Sequence, residues 1–156
     1  MKTQFELNGQ LLVASHSPGM TLMEYLRAEA FHSVKHGCDH GECGACTVLL
    51  ENRSANACLI LMHSVEGRKI ETLESFSSHE DLHHIQEDFL HEGAAQCGFC
   101  TPGMILSVEA LKREGGKIDE PSVRDALNGN LCRCTGYVKP VKAGVETLNR
   151  NVGGES

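Results

Sequence analysis

The sequence predicts an α+β chain of 156 residues with a β-rich first half and a helical second half. Short runs of alternating apolar residues dominate as far as about residue 74, which is typical of strands. After the polar, serine-rich segment Ser75–Asp81, the apolar residues recur at helical spacing instead. We therefore predict a first domain at residues 1–75, a linker at 76–80 and a second domain at 81–156.

The first half is predicted to hold several short strands and one helix. Asn8-Gly9 joins two alternating runs, and this dipeptide is a strong signal for a two-residue hairpin turn. Thr21 and Glu24 have the spacing of a capping box, so a helix should follow and run to Ala30. Further strands are predicted at Thr47–Glu51, Ala57–Met62 and Lys69–Glu74.

Four short helices are predicted in the second half, enough for a small bundle. The first contains Leu82 to Leu90. In the second, Thr101 should cap a helix with Pro102 at its first position, and Gly115-Gly116 should end it. The third and fourth are predicted at Pro121–Leu127 and Val138–Leu148.

Charge and hydropathy exclude several classes of partner. The net charge is −7 and no run of Lys or Arg occurs, so we expect neither a nucleic-acid groove nor binding to an anionic membrane surface. The longest apolar stretches, such as Cys58–Met62, are too short to span a bilayer. The N-terminus lacks an apolar signal segment, and we therefore expect a cytoplasmic protein.

Eight cysteines are many for a chain of this length. Disulfides rarely persist in the cytoplasm, so metal ligation is the better expectation. The first set has the spacing C-x4-C-x2-C followed by a fourth cysteine, which is the arrangement that plant-type ferredoxins use for a [2Fe-2S] cluster. Its members are Cys38, Cys43, Cys46 and Cys58.

The second set has the spacing C-x2-C and, further along, C-x-C. Its members are Cys97, Cys100, Cys132 and Cys134. Cys100 should lie just before a helix N-terminus, which favours anions and lowers the pKa of a thiol. The two sets use all eight cysteines, and their spacings favour two [2Fe-2S] clusters over two zinc sites, which remain the alternative.

Other chemistries fit the sequence less well. A Rieske centre needs two histidine ligands, but positions 46 and 100 are both Cys. Acid/base carboxylate pairs, nucleophile elbows and phosphate loops are missing from the sequence. We predict no catalytic residue and no substrate site on this chain, which an electron carrier does not need.

Three motifs, taken together, resemble those of a known family. They are GCDHGECGACTV at Gly37–Val48, QCGFCTPGM at Gln96–Met104 and GNLCRCTGY at Gly129–Tyr137. In this order they resemble the iron–sulfur subunit of the molybdenum hydroxylases, the xanthine dehydrogenase family. The resemblance extends from about Phe5 to Leu148.

The resemblance implies a plant-ferredoxin-like β-grasp domain followed by a four-helix-bundle [2Fe-2S] domain. It implies a large partner subunit that binds the molybdopterin cofactor and a medium subunit that binds FAD, assembled as a dimer of heterotrimers. Electrons would pass from molybdenum through the second cluster and then the first to FAD. Gln96 and Cys134 would lie against the pterin.

The substrate of such a complex is expected to be a purine (xanthine or hypoxanthine) or another N-heterocycle, because the segment Phe31–Cys38 resembles xanthine dehydrogenase-type subunits. A member that oxidises aldehydes or carbon monoxide is the alternative within the family. A zinc-stabilised interaction module and a free-standing ferredoxin are the alternatives from other classes.

Overall fold

The computed structural model describes residues 1–76, 81–115 and 119–150, in which five strands and five α-helices occur. The strands are β1 (Lys2–Leu7), β2 (Gln10–Ser15), β3 (Thr47–Leu50), β4 (Arg53–Asn56) and β5 (Lys69–Glu71). The helices are α1 (Leu22–Ala28), α2 (His84–His91), α3 (Thr101–Arg113), α4 (Glu120–Leu127) and α5 (Val138–Arg150). Apart from Phe76, the predicted linker lies outside the described residues, as do residues 151–156 of the predicted second domain.

The strands form one mixed sheet in the order β2-β1-β5-β3-β4. Two hairpins, β1–β2 and β3–β4, lie on either side of β5, which runs parallel to β1 and antiparallel to β3. Helix α1 contributes Leu22 and Leu26 to the same buried core as Phe5 of β1. The first half therefore has the α+β architecture that the sequence predicted.

Two local predictions in this half are confirmed. Asn8 and Gly9 both have left-handed backbone angles, with φ of 51° and 78°, as a two-residue turn between twisted antiparallel strands requires. The N–H of Thr21 donates to Glu24 at 2.7 Å, and the N–H of Glu24 donates to the Thr21 hydroxyl at 3.2 Å, which completes the capping box. Helix α1 ends before Ala30, whose φ of 65° is left-handed.

The strand predicted at Ala57–Met62 is wrong. Glu51 and Asn52 adopt left-handed angles and form the turn, so that the partner strand of β3 comes earlier, at Arg53–Asn56. This strand is polar because it lies at the edge of the sheet, and hydrophobic alternation did not reveal it. Residues Ala57–Leu59 form a 3-10 turn.

Helices α2 to α5 enclose a second core, and they confirm the predicted bundle. Its largest fully buried side chains are Ile85, Phe89, Met104 and Leu127. Helix α3 begins one residue earlier than predicted, so that Cys100, not Thr101, occupies the N-cap position. Gly115, with φ of 67°, follows its C-terminus as predicted, and Gly116 lies outside the described residues.

The two halves meet along α3. Leu106 and Ala110 on this helix pack against Leu49 of β3 in a small cluster of buried residues. Helix α3 thus serves both cores, because its other side packs within the bundle. None of the helices in the described ranges is long and apolar enough to cross a membrane.

Candidate metal centres

The first set of cysteines lies in the long loop between α1 and β3 and in the turn after β4. Cys38 and Cys43 belong to the loop and are half-buried. Cys46 precedes β3 and Cys58 lies in the 3-10 turn, and both are buried. The early reversal of the chain at the β3–β4 turn is what carries Cys58 back toward the loop.

The second set lies where α3 begins and where α4 leads into α5. Cys100, at the N-cap of α3, is buried, and Cys132 in the α4–α5 loop is half-buried. Cys97 and Cys134 are exposed. One side of this set therefore faces the interior of the helical half, and the other faces outward.

The thiols approach one another in pairs. The effect of the thiols on one another's pKa shows this: one neighbouring thiol acts most on each shifted cysteine, and a thiol of the other pair in the same set acts less. The pairs are Cys38 with Cys43, Cys46 with Cys58, Cys100 with Cys132 and Cys97 with Cys134.

This pairing fits a binuclear cluster better than a single ion. A tetrahedral zinc ion with Zn–S bonds of about 2.3 Å would hold all four sulfur atoms about 3.8 Å apart. In the described part of the chain, the only three ligand atoms found within 4.8 Å of one another belong to His91, Glu92 and Glu146, so no three of the thiols meet that condition. A [2Fe-2S] cluster takes two thiolates on each iron, which two separate pairs can provide.

Backbone donors surround the first set. The N–H groups of His40 and Cys43 both point at the sulfur of Cys38, and that of Ala45 points at the sulfur of Cys43, each at 3.4 Å. Such donors stabilise negative charge on sulfur, and a reduced cluster carries one more electron. The loop is thus built for anionic sulfur.

The thiols differ strongly in acidity when no metal is bound. Backbone N–H donors, that of His40 first, lower the pKa of Cys38 to about 6. Burial raises the pKa of Cys46 and of Cys100 to about 12. The N-cap position of Cys100 is therefore accompanied by a raised pKa, with desolvation as the largest cause and the neighbouring Cys132 thiol as the next.

A buried junction connects the two sets, and sequence reasoning missed it. The side-chain amide of Asn130 donates to the carbonyl of Gly44 at 3.0 Å and to the Thr47 hydroxyl at 3.2 Å. The N–H of Leu131 donates to the carbonyl of Cys43 at 2.9 Å. These bonds tie the loop before Cys132 directly to the loop of the first set, and an isolated Asn gives no sequence signal for such a role.

Gln96 and Cys134, the residues expected at the pterin, both lie on the exposed side of the second set. Gln96 directly precedes Cys97, and the Cys97 thiol is the largest cause of the raised pKa of Cys134. Large apolar side chains are also exposed nearby in the sequence, among them Phe99 at 47 % and Leu131 at 57 %.

Comparisons with known proteins agree with this architecture. Residues 5–71 match the 2Fe-2S iron-sulfur cluster binding domain, and residues 72–144 match the [2Fe-2S] binding domain. The xanthine dehydrogenase iron-sulfur-binding subunit of Escherichia coli O157:H7 is 44 % identical over 133 residues, which is 84 % of each chain. The chain belongs to the small [2Fe-2S] subunits of the molybdenum hydroxylases, the xanthine dehydrogenase family.

Two further relatives show how widely this unit occurs. Quinoline 2-oxidoreductase from Pseudomonas putida 86 contains a chain with 36 % identity and a TM-score of 0.88, and the match covers 96 % of both chains. Xanthine dehydrogenase of Emericella nidulans is 38 % identical over 161 residues, which is 96 % of this chain but 12 % of that protein. The same unit thus occurs both as a separate chain and as a small part of a longer one.

The family assignment confirms the predicted fold and cofactor class. The first half is a ferredoxin-like β-grasp domain, the second is the helical [2Fe-2S] domain, and the chain carries a cysteine cluster in each. The protein is an electron-transfer iron–sulfur subunit within a multi-subunit molybdenum hydroxylase.

Proposed function

We propose that each cysteine set holds one [2Fe-2S] cluster. In the first, Cys38 and Cys43 bind one iron, and Cys46 and Cys58 bind the other. In the second, Cys100 and Cys132 bind one iron, and Cys97 and Cys134 bind the other. The observation that carries this assignment is that each of the two matched [2Fe-2S] domains contains four of the eight cysteines, and the pairwise action of the thiols on one another's pKa supports the division between the irons.

In this proposal electrons enter at the second cluster. Gln96 and Cys134 contact the molybdopterin cofactor of a large partner subunit, and the first cluster faces an FAD-binding medium subunit. Exposure supports this direction, because Cys97 and Cys134 are the two exposed cysteines. Exposed Phe99, Leu131 and Val138 are suited to burial in a subunit interface.

The junction supplies a short route between the clusters. The carbonyl of Cys43 accepts the Leu131 N–H at 2.9 Å, and Leu131 is bonded to Cys132. One ligand of each proposed cluster is therefore linked through backbone atoms and a single hydrogen bond.

The holoenzyme is proposed to oxidise a purine (xanthine or hypoxanthine) or another N-heterocycle, in a cytoplasmic dimer of heterotrimers. Xanthine and quinoline appear in the names of the relatives, and both are N-heterocycles. The proposed use of all eight cysteines as metal ligands is compatible with the reducing cytoplasm. An aldehyde- or carbon monoxide-oxidising complex remains the alternative, because the substrate pocket belongs to another subunit.

The ligand sets and their order are tested with two complementary variants of the holoenzyme. The reduced wild type should show two distinct S = 1/2 signals in electron paramagnetic resonance (EPR). Cys100→Ser should lose the second cluster's signal, and Cys38→Ser should lose the first cluster's signal. Added substrate should still reduce the second cluster in Cys38→Ser, while flavin reduction stops in both variants.

Three results would contradict the proposal. Zinc in place of iron in the wild type would exclude the clusters. Reduction of the first cluster by substrate in Cys100→Ser would show that electrons do not enter at the second cluster. Flavin reduction at full rate in either variant would show that electrons do not pass through both clusters of this chain.

A further inference from the structure

Thr135, next to the last cysteine of the second set, makes an unusual contact with sulfur. Its hydroxyl lies 3.1 Å from the sulfur of Cys132, and its backbone N–H lies 3.4 Å from the same atom. Among the hydrogen bonds described for the two cysteine sets, this is the one in which a side-chain hydroxyl reaches a thiol.

The neighbouring bonds fix the direction in which the hydroxyl points its proton. The N–H of Tyr137 donates to the Thr135 oxygen at 3.2 Å, so that this oxygen is already an acceptor. A hydroxyl has one proton, and here the sulfur of Cys132 is the partner in reach. The proton is therefore donated to sulfur.

A closed ring of hydrogen bonds holds this arrangement in place. The N–H of Cys132 donates to the phenol oxygen of Tyr137 at 2.8 Å. Cys132, Tyr137 and Thr135 are thereby each linked to the other two by a hydrogen bond. Gly136 and Tyr137 have left-handed φ values of 61° and 66°, and this tight turn folds the tyrosine back over Cys132. The hydroxyl is thus already oriented toward the sulfur. It loses no rotational freedom when the sulfur gains negative charge.

We propose that Thr135 is a positioning residue that raises the reduction potential of the second cluster through the hydrogen bond from its hydroxyl to the sulfur of Cys132. The inference rests on the proposed function, in which Cys132 is a cluster ligand. Reduction adds negative charge that spreads onto the ligand sulfurs, and a hydrogen bond to sulfur stabilises the reduced state more than the oxidised one.

The consequence concerns the balance of electrons between the two clusters. A higher potential at the second cluster favours its reduction by the molybdenum centre and holds the electron there longer before it moves on. Removing the hydroxyl should shift the equilibrium occupancy toward the first cluster. We expect a shift of about tenfold, which is about 59 mV for a one-electron couple.

The experiment is a redox titration of the holoenzyme, followed through the EPR signal of each cluster. Thr135→Val, which keeps the shape and the backbone N–H, should lower the midpoint potential of the second cluster only. Thr135→Ser, which keeps the hydroxyl, should stay at the wild-type value. The first cluster's signal is the internal reference in every sample.

Thr101→Val provides a matched control at the same cluster. Thr101 follows Cys100, and no hydrogen bond of its hydroxyl to a thiol is found among the described residues. This variant should leave both potentials unchanged. A shift in Thr101→Val equal to that in Thr135→Val would overturn the inference, because any Thr-to-Val change near the cluster would then act alike.

The remaining outcomes separate the inference from the proposed function. If both signals are present and Thr135→Val titrates like the wild type, the inference fails while the ligand assignment stands. If the wild type lacks a second signal, the proposed function itself fails. If Thr135→Val loses the second cluster, retention in Thr135→Ser supports the hydroxyl, whereas loss in Thr135→Ser as well would overturn it.

Discussion

At the scale of single residues, the two halves approach one another most closely at Gly44 and Gly103, where a side chain larger than hydrogen would not fit. A Cβ on Gly103 would lie 2.4 Å from the carbonyl oxygen of Gly44, and a Cβ on Gly44 would lie 2.1 Å from that of Gly129. Three backbone segments are therefore in direct contact. The glycines are visible in the sequence, but their partners are not, because each contact joins residues from different parts of the chain.

Gly103→Ala should lower the melting temperature of the iron-loaded protein. Alanine normally stabilises a helix, yet here its methyl group must displace the Gly44 backbone, at a cost of about 1–3 kcal/mol. For a chain of this length, 1 kcal/mol corresponds to roughly 2–4 °C. Thermal unfolding followed by circular dichroism measures the change.

Gly19→Ala is the control for this variant, because Gly19 has open space around the position of a Cβ and no left-handed φ. Its melting temperature should match the wild type or exceed it slightly. A rise in Gly103→Ala, as expected for an ordinary helical glycine, would show that the junction is not tightly packed.

At the scale of elements, local signals predicted well and long-range ones did not. The Asn8-Gly9 turn and the capping box of α1 depend on residues within one turn of each other, so the sequence contains the whole signal. Strand β4 was missed because a polar edge strand is defined by its pairing with β3 and not by its own composition. The junction at Asn130 was missed for the same reason.

Asn130→Asp should weaken the attachment of the α4–α5 loop to the first cluster loop. A carboxylate has nearly the same shape as the amide but cannot donate to the Gly44 carbonyl or the Thr47 hydroxyl. The Gly44 carbonyl would still accept from the Thr47 hydroxyl at 2.7 Å, so the cost arises mainly from the new carboxylate, which would lie against these two oxygens at a position only 2 % exposed. A buried polar group without its partners costs about 1–3 kcal/mol, and a charged one costs more. Thermal unfolding of the iron-loaded protein should show the loss.

Asn128→Asp makes the same chemical change two residues away, at an exposed position. The new carboxylate lies near Asp125 at the C-terminal end of α4, where a negative charge is unfavourable, but the position is exposed. The variant should therefore cost no more than about 1 kcal/mol, less than Asn130→Asp. If the two variants were equally stable, the hydrogen bonds of Asn130 would not contribute to holding the two loops together.

At the scale of the whole molecule, α3 joins the halves at both of its ends. Gly103 and Asn130 hold its N-terminal end, and Arg113 holds its C-terminal end. The guanidinium of Arg113 donates to both carboxylate oxygens of Glu71, at 2.6 and 2.9 Å, and to Glu109 at 2.9 Å. The Glu71 hydrogen bonds are the main cause of its raised pKa. Cysteine spacing predicted each cluster site separately, but nothing in the spacing could predict this clamp between the two domains.

Arg113→Met should destabilise the protein by about 2 kcal/mol, below the range for fully buried ion pairs because Arg113 and Glu71 are 26 % and 30 % exposed. The cost arises mainly at Glu109, whose side chain is 7 % exposed. Of its two ion-pair partners within the described ranges, it would keep Lys112, at 3.8 Å. The double variant Arg113→Met/Glu109→Gln should therefore recover part of the loss. Arg124→Met is the matched control, since Arg124 and Glu120 form an exposed pair on α4 that should contribute less than about 1 kcal/mol.

Equal melting temperatures for Arg113→Met and Arg124→Met would mean that the hydrogen bonds of Arg113 to Glu71 do not hold the domains together. Because Arg113 lies at the opposite end of α3 from Cys100, the EPR spectra of both clusters should stay the same in the folded protein.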